Sequence, residues 1–128
     1  ALLVKLPLLE KQHEGRIKNG EFYNKNIGDV VAVPYVKEGY RTIYNQYTLR
    51  VSDRELFQKK LNDKNVGNAV YYPVPLHLQQ CFQDLGYKEG DMPQAEQAAK
   101  EVVSIPVYAE LTQEQLDYVV EAVKSCIT

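Results

Sequence analysis

The chain has 128 residues, of which 45% are hydrophobic and 25% charged, and its formal net charge is −2. These values are typical of one globular domain, and they exclude a disordered chain, a collagen and a nucleic-acid binder that depends on bulk positive charge. No apolar run approaches the ~20 residues of a membrane span, so we expect neither a nucleic acid nor a membrane as partner. The two cysteines, Cys81 and Cys126, are far apart in the sequence. They favour buried thiols in a reducing, cytoplasmic compartment over a disulfide.

The first predicted element is an amphipathic helix over residues 2–26. Its apolar residues recur with a spacing near 3.6 and form one stripe, and Pro7 marks a kink or the effective start of the helix. Such a stripe needs a partner surface, so we expect an exposed apolar face at its beginning. The leucines of that face are Leu2, Leu3, Leu6 and Leu9, and the stripe continues through His13, Ile17 and Phe22.

Extended structure is predicted after Gly28. The β-branched residues of Asp29–Val36 indicate a strand, and Pro34 restricts it to a short or edge strand. Alternation of side chains over Arg41–Val51 predicts a second and better strand.

A helix is predicted next. Ser52 and Glu55 match the S-x-x-E capping box, which places a helix from Asp53 to about Asp63. Gly67 fits the left-handed position that ends such a helix.

Prolines and glycines divide the segment that follows. Residues 69–72 are typical of a strand, which Pro73 and Pro75 stop. Residues 78–85 predict a short helix that ends at Gly86.

Two further helices complete the pattern. Asp91 is expected to cap a helix from Met92 to about Val103, and residues 104–108 should be extended. Thr112 and Gln115 match a second capping box. The last helix has an apolar stripe formed by Leu116, Val119, Val120, Val123 and Ile127. The mixed order of helices and strands predicts an α+β domain of two layers.

Few residues could form a catalytic site. The sequence has two histidines, His13 and His77, no nucleophile elbow and no glycine-rich phosphate loop, so neither a catalytic triad nor a zinc site can be assembled. Residues 68–77 are the best candidate for a binding edge, since Tyr71 and Tyr72 end a predicted strand before two prolines and His77. Adjacent strand residues point to opposite faces, so one of the two tyrosines should be exposed and the other buried. The alternative is a stiff crossover with both tyrosines packed in the core.

Four blocks of the sequence stand in a specific order and spacing. They are Tyr44–Arg50, Val66-Gly67 with Tyr71–Gln79, Leu85–Glu96, and Ser104–Thr112. Together with the opening residues Ala1–Leu6, these blocks resemble the C-terminal domain of the DegT/StrS family of pyridoxal-phosphate-dependent nucleotide-sugar aminotransferases. The resemblance covers essentially the whole chain.

The resemblance implies an enzyme of fold type I, in which a large domain binds the cofactor and a small C-terminal domain covers it. This chain would be the small domain alone, with a short, largely antiparallel sheet covered by helices. Residues 1–26 would be the linking helix on which the missing large domain packs, and residues 27–128 the small domain. The lysine that binds pyridoxal phosphate belongs to the large domain, so no catalytic residue is carried over. The chain alone is then expected to be inactive.

The resemblance also implies substrate contacts. The family segment that matches Tyr71-Tyr72-Pro73 lies near the active-site mouth of a homodimer and helps to hold the nucleotide-sugar. Tyr71 and Tyr72 are therefore the candidate substrate-binding residues, with His77 as a third. In the family this segment commonly reads His-Tyr-Pro or Tyr-Tyr-Pro. Here Tyr71 stands at its first position, which removes a possible cation beside the diphosphate and leaves a neutral donor. The parent would move an amino group, from glutamate, onto a keto-sugar nucleotide. A free-standing α+β binding or interaction module and a complete small enzyme are the alternatives.

Overall fold

A computed structural model describes residues 2–127 of the chain. It contains helices, two strands and three short 3₁₀ turns, and no helix in this range is long and apolar enough to cross a membrane. The helices are α1 (Leu2–Lys5), α2 (Leu9–Ile27), α3 (Arg54–Asp63), α4 (Pro93–Glu101) and α5 (Gln113–Ile127); the strands are β1 (Tyr47–Arg50) and β2 (Val102–Ile105); the 3₁₀ turns are Leu6–Leu8, Leu76–Leu78 and Gln80–Leu85.

The predicted N-terminal helix is present but interrupted. The 3₁₀ turn at Leu6–Leu8 separates α1 from α2 and contains Pro7, which confirms the proline as the break. Only the second half of α2 enters the core, and its buried residues are Asn19, Gly20, Tyr23 and Ile27. The predicted stripe was therefore wrong in part, because Gly20 gives room for an aromatic ring: a Cβ there would overlap the ring of Tyr44.

Strands β1 and β2 form a two-stranded antiparallel sheet. Tyr47 pairs with Ile105 at one end, and Arg50 pairs with Val102 at the other. Tyr47, Leu49, Val103 and Ile105 share one face of the sheet and are buried. On the opposite face Thr48 and Ser104 lie side by side, with their hydroxyl oxygens 2.8 Å apart.

The predicted strands are shorter than expected. Arg41–Val51 contains only β1, because Tyr44 has a φ of 45°, which interrupts the extended backbone. Asp29–Val36 contributes a single bridge, from Ala32 to Arg50, and residues 69–72 contribute one from Ala69 to Ser104. Those two segments were predicted as strands, and neither forms one.

The first half of strand β2 was predicted as the end of a helix, whereas Ser104 and Ile105 were predicted as extended and are so. Helix α4 ends at Glu101, and Val102 is already extended. The spacing of Ala98, Ala99, Val102 and Val103 suits a helix, but the last two residues pair with β1 instead. The partner strand decides the conformation here, as is common for short apolar runs.

Several predicted helix ends are placed differently. Asp53, not Ser52, caps α3, since its carboxylate accepts a hydrogen bond from Leu56 N at 3.0 Å. Asn65 takes the positive φ, 55°, that was expected at Gly67. Asp91 does not cap α4, because its carboxylate accepts from Lys88 N instead.

Two other helix ends agree with the sequence. Gly86 has a φ of 78° and ends the 3₁₀ turn Gln80–Leu85, where a regular helix was expected. At α5, Gln115 N donates to Thr112 Oγ1 at 3.2 Å, and Thr112 N donates to Gln115 Oε1 at 3.0 Å. Both bonds of the predicted capping box are therefore confirmed.

The core lies between the apolar face of the sheet and the helices α2, α3 and α5. Helix α5 packs against both α2 and α3 and buries four residues of its predicted stripe together with Ala122 and Cys126. Ile127 is exposed instead, and so is Cys81, whose thiol was expected to be buried. The fold is α+β with a short antiparallel sheet, as predicted. The division of the chain at residue 26 stays a prediction, although Tyr23 and Ile27 of the first helix both belong to the core.

Candidate functional site

A cleft of about 280 Å³ opens where β1 begins and β2 ends. Asn45 and Gln46 enter it from the turn before β1, and Pro106 to Tyr108 border it after β2. Asn68 and Tyr71 come from the segment that bridges to Ser104, and Arg16 from α2. The strand pairing and the packing of α2 thus bring together residues from four separate parts of the chain.

Arg16 is the one charged side chain among the residues described around this cleft. Its Nη1 donates to the backbone oxygens of Tyr44 at 3.4 Å and Asn45 at 3.3 Å. Within residues 2–127 it has no ion pair with a carboxylate. The guanidinium of Arg16 is a cation, so the cleft can attract an anion.

Tyr71 and Tyr72 lie at the surface. Tyr71 is 46% exposed and lines the cleft, whereas Tyr72 is 67% exposed and borders a separate hollow with Pro73 and Val74. The two rings meet edge to face, with centroids 6.2 Å apart. The expectation of one buried tyrosine was wrong, because only Ala69 of this segment pairs with a strand and the alternation of a strand does not apply.

His77 is buried and does not line the cleft. Its Nε2 lies 3.0 Å from Oε1 of Glu96. The same carboxylate accepts hydrogen bonds from Gly90 N and Met92 N, and these bonds, that from Gly90 above all, together with His77 hold the pKa of Glu96 below its ordinary value. Direct contact of His77 with a substrate stays a prediction.

Sequence reasoning missed Arg16, Asn45, Gln46 and Tyr108. Arg16 lies on a helix whose polar residues are ordinarily solvated, and nothing local distinguishes it from its neighbours. Asn45 and Gln46 stand inside the block Tyr44–Arg50, where the alternation of side chains predicts a strand and not a turn at a binding site. Among residues 2–127 no group of three His, Cys, Asp or Glu side chains could hold a metal ion.

The chain belongs to the DegT/DnrJ/EryC1/StrS aminotransferase family, whose model matches residues 1–124. Aminotransferases of this family depend on pyridoxal phosphate.

Two curated relatives show what kinds of protein are similar. The "Pleiotropic regulatory protein" of Geobacillus stearothermophilus is 43% identical over 126 residues, which are 95% of this chain and 34% of the relative. The "UDP-2-acetamido-2-deoxy-3-oxo-D-glucuronate aminotransferase" of Pseudomonas aeruginosa is 32% identical over 108 residues, 84% of this chain and 29% of the relative. The chain therefore spans about a third of the length of these relatives.

This chain also covers about a third of a similar solved structure. A DegT DnrJ EryC1 StrS aminotransferase from Brucella abortus superposes with a TM-score of 0.88 at 28% identity, over 97% of this chain and 33% of that one. The fold of this chain is thus that of one part of a family aminotransferase.

Proposed function

We propose that this chain is the C-terminal part of a pyridoxal-phosphate-dependent nucleotide-sugar aminotransferase, which transfers an amino group from glutamate to a keto-sugar nucleotide. The family match and relatives named for such reactions support this proposal. The share of those relatives that the chain spans supports a longer parent. The two free thiols, one of them exposed, suit a reducing compartment such as the cytoplasm.

The role proposed for this part is to bind and orient the nucleotide-sugar. The observation that carries it is the cleft in which Arg16 and Tyr71 lie together with the amides of Asn45, Gln46 and Asn68. A diphosphate needs a cation and neutral donors, and guanidinium, phenol and amide groups supply both. Arg16 would thereby provide the positive charge of the cleft, in which Tyr71 is a neutral donor.

Pyridoxal phosphate, when bound, supplies the electron sink for amino transfer. No lysine is among the described residues of the cleft, so the residues of this chain fit a substrate contact rather than the attachment of the cofactor. The lysine and the rest of the cofactor site would belong to a large domain. That domain would pack on α1 and the start of α2, and the active enzyme would be a homodimer in which this part helps to close the site. The chain alone would be inactive.

Steady-state kinetics of the longer enzyme test the proposal. Tyr71→Phe and Arg16→Gln each remove a bond to a charged group, a loss of ~1.5–3 kcal/mol in binding. We expect a rise in KM for the nucleotide-sugar of roughly ten- to a hundredfold, with little change in KM for glutamate. Tyr35→Phe is the matched control, since Tyr35 is 87% exposed and lies outside the cleft.

Two results would count against the proposal. Absence of transamination of any nucleotide-sugar by the longer enzyme would contradict the proposed activity. An unchanged KM for the nucleotide-sugar in both cleft variants, with melting temperatures near that of the parent, would show that the cleft is not the binding site of the nucleotide-sugar.

A further inference from the structure

The segment from Tyr71 to Met92, here called the excursion, leaves the body of the domain between the bridge at Ala69 and the start of α4. Its regular structure is limited to the two 3₁₀ turns. Of the residues in this segment, His77 alone is buried; the others are half-buried or exposed. Burial of apolar side chains therefore contributes little to holding the excursion in one conformation.

The buried histidine is held by one carboxylate. The side chains of His77 and Glu96 are only 3% and 11% exposed, and His77 Nε2 lies 3.0 Å from Glu96 Oε1. The other ring nitrogen, Nδ1, is buried and has no partner among the described residues. The tautomer that suits this site has its proton on Nε2 and donates it to Glu96, because a proton on Nδ1 would be buried without an acceptor.

Glu96 also binds the far end of the excursion. Gly90 N donates to both carboxylate oxygens, at 2.9 and 3.0 Å, and Met92 N donates to Oε1 at 3.2 Å. Hydrogen bonds from N–H groups to a carboxylate are stronger than neutral ones. One side chain on the first turns of α4 therefore joins the early part of the excursion, at His77, to its last residues.

The early part of the excursion is stiff between His77 and the tyrosines. Pro73 and Pro75 restrict the backbone there, and Gln79 Nε2 donates to Val74 O at 3.2 Å. A shift of His77 would therefore move Tyr71 and Tyr72 with it.

We propose that His77 and Glu96 are positioning residues, which form a latch that holds Tyr71 at the cleft. This inference rests on the proposed function, in which Tyr71 contacts the nucleotide-sugar. His77 then affects substrate binding through the excursion and does not itself touch the substrate.

Hydrogen exchange of the longer enzyme without substrate tests the latch. In His77→Ala and Glu96→Ala we expect peptides from residues 71–92 to exchange about tenfold faster or more, with peptides from β1 and α5 unchanged, because only the excursion depends on the pair. His77→Gln should restore part of the protection, since its amide can donate to Glu96 from a similar position. Glu89→Gln is the control, an exposed carboxylate of the excursion that has no bond to any other residue in the range 2–127.

Kinetics separate positioning from direct contact. Loss of the latch should raise KM for the nucleotide-sugar about tenfold in both alanine variants, with kcat within about twofold of the parent and KM for glutamate unchanged. The double alanine variant should be no worse than Glu96→Ala, because that single variant already removes the bond of His77 to Glu96.

Unchanged hydrogen exchange in residues 71–92 of both alanine variants would overturn the latch. So would a KM for the nucleotide-sugar that rises in His77→Ala and stays unchanged in Glu96→Ala, because His77 would then be a direct ligand. An enzyme without transaminase activity would instead contradict the proposed function, and the exchange result would still decide whether the latch exists.

Discussion

Tyrosine is abundant in this chain, and three tyrosines meet in the core beside the cleft. The rings of Tyr23 and Tyr47 are 5.1 Å apart, and those of Tyr44 and Tyr47 are 5.5 Å apart. Their hydroxyls are satisfied: Tyr47 donates to Asn24 Oδ1 at 2.6 Å, Asn24 Nδ2 donates to the Tyr44 hydroxyl, and Tyr23 donates to Pro106 O. This network fixes the turn that carries the residues at the mouth of the cleft.

Removal of one hydroxyl from this network should lower the free energy of unfolding. In Tyr47→Phe the Asn24 amide oxygen loses its donor, which costs about 1–2 kcal/mol. Urea unfolding measures the loss. Tyr35→Phe, at an exposed tyrosine, should leave stability within about 0.5 kcal/mol of the parent.

The same variant tests the response to alkali. Burial raises the pKa of both Tyr23 and Tyr47 above the ordinary value of 10.0. The unfolded chain therefore releases these protons first. The contribution of the two hydroxyls to the free energy of unfolding is fully present below about pH 10 and decreases as the pH rises beyond it. Tyr47→Phe should lose less stability than the parent between about pH 9 and 11. An equal or steeper loss in the variant would show that Tyr47 ionises in the folded state as it does in the unfolded state.

Among the elements, the start of α3 allows a sharp comparison of neighbouring residues. The carboxylate of Asp53 accepts from Leu56 N, while Ser52 shows no bond of this kind. Asp53→Ala should cost about 1 kcal/mol of unfolding free energy, and Ser52→Ala less than about 0.5 kcal/mol. Urea denaturation midpoints measure both losses, provided that the dependence of the unfolding free energy on urea concentration is the same in the parent and the variants. A larger loss in Ser52→Ala than in Asp53→Ala would show that Ser52 caps α3, as the S-x-x-E capping box predicts.

These elements show which features the sequence could predict. The box at Thr112 and Gln115 was correct because both bonds lie within four residues. The same pattern at Ser52 was wrong because an aspartate, an equally good cap, stands next to it. The first two residues of strand β2 were assigned to a helix because Val102 and Val103 become a strand only when β1 is beside them.

The candidate site also contains residues that the sequence could predict and residues that it could not. Tyr71 could be found from its own segment, in which aromatic residues and prolines stand close together. Arg16 could not, since it reaches the cleft only when α2 lies beside the turn before β1, far along the chain. Sequence reasoning thus finds cleft residues that are grouped locally and misses those that the fold brings together.

For the whole molecule, the apolar face predicted at the N-terminus is confirmed as exposed. Leu2 and Leu3 are more than four-fifths exposed, and Leu6, Leu8 and Leu9 continue the patch. Apolar patches of this kind promote association. In the longer enzyme we propose that the large domain covers it, so the 128-residue chain alone should associate with itself.

Sedimentation velocity over a range of concentrations measures this association. The double variant Leu3→Lys and Leu6→Lys should sediment as a monomer, with an unchanged unfolding midpoint, because neither side chain is part of the core. Leu56→Lys is the control, since Leu56 is an exposed leucine of α3 away from the patch. A parent chain that stays monomeric at every concentration would contradict the prediction.

The pairing of Tyr47 with Ile105 also affects how the protein is made. Ribosomes add about 5–20 residues each second, so β1 waits roughly 3–12 s before its partner strand has been synthesised. During this interval Tyr47 and Leu49 have no sheet to join, and an unpaired apolar strand is a site for chaperone binding or aggregation. Slower translation between these two strands should therefore lower the yield of folded protein, whereas the same delay before Tyr47 should not.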